Sequence, residues 1–141
     1  MRACGLLTLI LLLSACGGSP QPDLVASDVV VARPIPGKAM TAAYLTLRNN
    51  SERTINITRV TSTEFSLIQI HETTIEDGIA RMRPLPQLEI PAGGEVKLER
   101  GGKHLMLMRS TGQTDAVSLQ FYDGETLLLS INSGYAAAPS L

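Results

Sequence analysis

The sequence predicts an antiparallel all-β domain, a sandwich or a Greek-key barrel. Two observations carry that class: apolar residues recur with a period of two in short runs, and 12 Gly and 8 Pro punctuate those runs. No stretch of a dozen residues keeps helical spacing without a breaker.

The elements follow in chain order. Ala43, Leu45 and Leu47 alternate with Tyr44, Thr46 and Arg48, and the run ends at Asn49-Asn50. Ile55 and Ile57 alternate with Asn56 and Thr58. In 67–72, Ile68 and Ile70 form the apolar set, with His71 on the opposite face. Val96 and Leu98 alternate with Lys97 and Glu99, between the turns 91–94 and Gly101-Gly102. Leu105 and Leu107 then share one face, and His104, Met106 and Met108 the other. Val117, Leu119 and Phe121 precede an Asp123-Gly124 turn, after which Leu127, Leu129 and Ile131 complete a hairpin with the same inward set.

Composition narrows the function. Of 141 residues, 12 are basic and 13 acidic, so no basic excess exists to grip phosphates or an anionic membrane. Aromatics are 4% with no Trp, which argues against base-stacking platforms. Nucleic acid is therefore not an expected partner.

Four segments are expected. Residues 1–15 read as a signal peptide: Arg2 precedes an apolar run from Gly5 to Leu13, too short for a bilayer core of about 30 Å. Leu13-Ser14-Ala15-Cys16 looks like a bacterial lipobox, in which Cys16 is lipidated and becomes the new N-terminus. Gly17 follows without an Asp, which favours the outer membrane by the sorting rule of such lipoproteins. Residues 16–23 make a lipidated cysteine and flexible tether, 24–133 the folded domain, and 134–141 a flexible tail. Cleavage removes Cys4, so the mature chain has neither an internal disulfide nor a free thiolate.

The chemistry lies on the outward faces. Both histidines of the chain, His71 and His104, project from strands opposite the apolar set, alongside Met106 and Met108. Met82 sits between Arg81 and Arg83, where a purely apolar role is poorly served. Imidazoles with thioethers, lacking thiolates and clustered carboxylates, are a soft donor set. It suits Cu(I) better than calcium, magnesium or zinc. Glu72, next to His71, is placed to offset a cation's charge. A hydrolytic triad finds no third histidine to act as general base.

His71, ten intervening residues, Met82, twenty-one more, then His104-x-Met106 resembles the signature of the PCuAC periplasmic copper chaperones. Segments 43–49, 82–84, 90–94 and 101–107 agree with it, and the likeness spans roughly 24–133. The resemblance implies a cupredoxin-like barrel in which His71, Met82, His104 and Met106 bind one Cu(I) ion per chain near the surface. It implies copper delivery toward cytochrome c oxidase, alongside Sco-type proteins, by a carrier rather than an enzyme. The His- and Met-rich tail that some members use for Cu(II) is not in this sequence. Met108, one step beyond the motif, is a candidate auxiliary ligand, and Met40 a packing or gating residue. Three readings compete: copper sequestration for tolerance, a partner-binding β-sandwich lipoprotein whose His/Met cluster is incidental, and a redox enzyme cycling Cu(I)/Cu(II), which would turn over oxygen or peroxide. The expected location is the cell envelope, facing the periplasm on a lipid anchor.

Overall fold

The computed structural model describes residues 21–112 and 115–136. Among them are eleven strands: β1 (Leu24–Val31), β2 (Met40–Asn49), β3 (Ile55–Ile57), β4 (Arg59–Thr61), β5 (Phe65–Glu76), β6 (Ile79–Leu85), β7 (Leu88–Ile90), β8 (Glu95–Leu98), β9 (Lys103–Ser110), β10 (Ala116–Asp123) and β11 (Thr126–Gly134). The expected signal peptide 1–15, the acylation site Cys16 and positions 137–141 of the expected tail lie outside the described residues.

The largest sheet has the order β1-β2-β9-β5-β6, with β8 also paired to β2. A second sheet runs β11-β10-β4, and β3 pairs with β7. Every strand pair is antiparallel. Strands distant in sequence become neighbours, as β2 with β9 and β10 with β4, which is the crossover pattern expected of a Greek-key sandwich.

Alternation is what makes these strands bury one face. Leu45, Leu47, Ile70, Leu105 and Leu107 from the large sheet meet Val60, Val117, Leu119 and Phe121 from the second, with Ile57 and Ile90 closing the end. Each such side chain contributes about 1.5–3 kcal/mol when fully buried. Asn49 ends β2 inside this core, wholly buried. Its Nδ2 donates to the carbonyls of Arg53, Ile90 and Pro91, and its Oδ1 accepts from Ser51 N and Oγ. Burial without cost follows from that complete pairing.

Two expectations are corrected. Leu127 is 50% exposed rather than inward. A register shift opposite Phe121 and Tyr122 inserts an extra residue into β11, so alternation carried back from Leu129 fails before Leu128. The folded region also runs past the expected boundary at 133. Gly134 closes β11, Tyr135 bridges to Val31, and Ala136 N donates to Val31 O at 2.8 Å. At the other end, the last tether positions are docked: Asn50 N donates to Asp23 O at 2.7 Å, and Asn50 Nδ2 to Pro22 O.

Glu64, just before β5, ties the two sheets together. Its carboxylate accepts from Ser62 Oγ (2.7 Å), Ser118 N (2.9 Å), Ser118 Oγ (2.8 Å) and Thr63 Oγ1. Burial pushes this carboxyl up, but the hydrogen bonds from Thr63, Ser118 and Ser62 outweigh it and hold the pKa at about 2, below the ordinary 4.5. As pH falls, the unfolded chain therefore takes up its proton first. The stabilisation is complete above about pH 4.5 and is lost between there and pH 2. Glu64→Ala should cost roughly 1–3 kcal/mol at neutral pH. Urea midpoints measured across this window should show the gap between wild type and Glu64→Gln closing as pH falls.

Candidate metal centre

The site begins with register. β5 and β9 pair so that His71 lies directly opposite His104, with Ile70 opposite Leu105 on the other face. Ile70 and Leu105 are core residues, so the histidines are forced outward. On the far side of β5, His71 pairs with Pro84 of β6, and Thr73 with Met82. Met106 pairs with Gln69 on β5 and with Ala42 on β2. Met82 and Met106 thus occupy the two cross-strand diagonals of His71, neighbours about 7–8 Å away that long side chains span. All four sequence-predicted donors share one face of the sheet. Met108 shares it too, one step beyond Met106, paired with Leu67 and Met40.

The two imidazole centroids are 6.0 Å apart, with planes tilted by 60°. Each ring is held by one nitrogen and leaves the other free. His104 Nδ1 lies 3.1 Å from Gly102 O. A carbonyl oxygen only accepts, so Nδ1 carries the proton and Nε2 offers its lone pair. His71 is arranged the opposite way: Nε2 donates to Gln69 Oε1 at 3.2 Å, while Nδ1 is buried with no hydrogen-bond partner. Burial, then repulsion from His104, lowers the His71 pKa, so its ring is neutral at pH 7.

The β8–β9 turn supplies part of this geometry. Gly101 has φ of +78°, a left-handed conformation that favours glycine. Gly102 N donates to Glu99 O, and Gly102 O in turn receives both His104 Nδ1 and Thr73 N.

His104 faces away from the core yet is only 5% exposed. Tyr44, brought beside it by β2, packs with its ring centroid 6.4 Å away, and Arg100 lies 4.8 Å over the Tyr44 ring. His71 and Met106 are half-buried, and Met82, on the edge strand β6, is 50% exposed. The site is therefore graded, closed at His104 and open at Met82.

Charges near the site are committed elsewhere. Glu72 points to the opposite face and pairs with Lys103 at 2.8 Å, so it does not face the imidazoles as its position next to His71 suggested. Arg81 and Arg83 both bind Glu76, at 3.0 and 3.3 Å. Among the described residues, no group of three His, Cys, Asp or Glu side chains comes together, so a carboxylate-rich cage for a hard cation is absent there. The donors present are two imidazole nitrogens and two thioethers.

Gln69, Tyr44 and the Gly102 carbonyl were not found by sequence reasoning. Only Gln69, two residues from His71 on the same face, left a readable signal in its spacing.

Residues 24–132 match the family described as "Putative lipoprotein LpqE-like". The chain belongs to this family. It is 31% identical over 140 residues to "Putative lipoprotein Lxx21020" of Leifsonia xyli subsp. xyli (strain CTCB07), across 89% of this chain and 84% of that protein. Among solved structures, it resembles the copper-bound PCuAC domain from PmoF2 with a TM-score of 0.67 at 16% identity, over 82% of this chain and 94% of that one. That likeness establishes a common fold. The solution structure of CuI-DR1885 from Deinococcus radiodurans matches with a TM-score of 0.62 at 27% identity, over 86% and 82% of the two chains. Its apo form gives 0.61 at 25% identity, over 99% and 95%. The PCuAC resemblance and the cupredoxin-like all-β class drawn from it are borne out.

An unpartnered buried nitrogen burdens the metal-free fold. Replacing His71 by Leu removes it, so His71→Leu should raise stability by roughly 1 kcal/mol without metal, read as a higher denaturation midpoint.

Proposed function

We propose that this LpqE-like chain carries one Cu(I) ion on His71 Nδ1, His104 Nε2, Met82 and Met106, as a copper chaperone and not an enzyme. The observation that carries the reading is His71 Nδ1: a buried lone pair without a partner, 6.0 Å ring to ring from a second imidazole fixed in the complementary tautomer. Unpaired buried polar atoms are rare and costly, and one on a sheet face that also carries a second imidazole and two thioethers points to a cation. The copper in the PmoF2 domain and in CuI-DR1885 is consistent with this cargo.

The gradient of exposure supports transfer over permanent storage. His104, covered by Tyr44, anchors the ion, while Met82 on the open edge is the ligand that an incoming acceptor displaces first. Thioethers do not protonate, so acid weakens the site only through its histidines. The acceptor we favour belongs to cytochrome c oxidase assembly, the oxidase copper subunit or a Sco-type thiol protein. The protein would face the periplasm from the envelope on lipid attached to Cys16, with the outer membrane favoured.

Anaerobic titration with Cu(I) against a chromogenic chelator should give a one-to-one complex, and His104→Ala with Met106→Ala should abolish it. Equal affinity in that double variant would refute the ligand set. Loaded protein should restore copper to apo-oxidase, whereas a sequestering protein would bind with the same stoichiometry and restore nothing.

A further inference from the structure

Met40 is 50% exposed at the start of β2, and none of the four proposed ligands requires it. Its register partner is Met108. Directly opposed residues of an antiparallel pair hold their Cβ atoms about 4.5–5.5 Å apart on one face. Met106 follows on that same face, and its own β2 partner is the small Ala42. Three thioethers therefore form a contiguous patch. Met40 is its most exposed member, and Met106 borders His104. Solvent-facing strand positions are usually polar, as Thr46 and Ser118 are here, so three adjacent methionines need a reason.

We propose that Met40, Met106 and Met108 form a second station for a soft monovalent cation, Cu(I) or Ag(I). This goes beyond the four-ligand site and rests on that reading only in sharing Met106. Three neutral sulfur donors select a soft ion and reject hard divalent ones. Exchange between the stations conserves charge and oxidation state: a Cu–S bond to Met40 or Met108 breaks as a Cu–N bond to His104 forms, with Met106 attached throughout. The thioether station is the weaker and more accessible one, which suits it to first capture of the ion.

The test uses the full chain carrying His71→Ala and His104→Ala, titrated anaerobically with Cu(I) at pH 5.5 and pH 8. One Cu(I) per chain should remain, held more weakly than in wild type and equally at both pH values. Adding Met40→Leu and Met108→Leu, which conserve volume, should weaken that residual binding at least about tenfold. No binding in the His-less chain, or no response to the leucines, overturns the proposal. In the methyl-labelled chain carrying His71→Ala and His104→Ala, the first equivalent of Ag(I) should shift the Met40, Met106 and Met108 ε-methyl resonances, and unmoved resonances also overturn it. Loss of the one-to-one complex in wild type would instead strike the four-ligand site, since the His-less chain reads this station alone.

Discussion

The pairing of His71 with His104 across β5 and β9 is the constraint from which the rest follows. A slip of one residue would turn one imidazole into the core and expose Ile70 or Leu105. Burial of Ile70, Leu105 and Leu107 resists that slip, each side chain contributing about 1.5–3 kcal/mol. The outward placement of both imidazoles is in this sense a by-product of apolar packing on the reverse of the same strands. Neither histidine needs an energetic reason of its own to be where it is.

Position alone does not prepare an imidazole to bind. The Gly102 carbonyl and Gln69 Oε1 each take one ring proton and leave the opposite nitrogens bare, so His104 presents Nε2 and His71 presents Nδ1. Such outer partners fix ring orientation and raise basicity. Burial, then the neighbouring His104, disfavours the charged form of His71. The fold bears the expense as a buried nitrogen with no hydrogen bond, a local violation of polar satisfaction of the kind found at functional sites.

Much of this was legible before the structure because period-two alternation is a local property. Leu105 and Leu107 lie inward and Met106 and Met108 outward, as their spacing required. What could not be read depends on residues distant in sequence. His104 is nearly buried because Tyr44 arrives from β2, sixty positions earlier, a neighbour that no local pattern reveals. Leu127 is exposed because one extra residue in β11 shifts the pairing, and a bulge leaves little trace in an apolar run of three leucines. Tyr135 looked like part of a tail because its partner, Val31, lies about a hundred residues upstream. Glu72 is next to His71 in sequence but not on its face, because adjacent strand residues point opposite ways, and Lys103 takes it.

Edge strand β6 combines two demands that usually conflict. It leaves Met82 uncovered, yet a bare edge with apolar side chains invites a neighbouring molecule to add a strand and aggregate. Pro84, directly beside His71, has no amide hydrogen to extend a ladder, and Arg81 and Arg83, on the opposite face from Met82, set charged side chains along the same edge. A thioether can then stand in solvent on a surface that discourages indiscriminate strand pairing, leaving contact there to partners shaped to reach it.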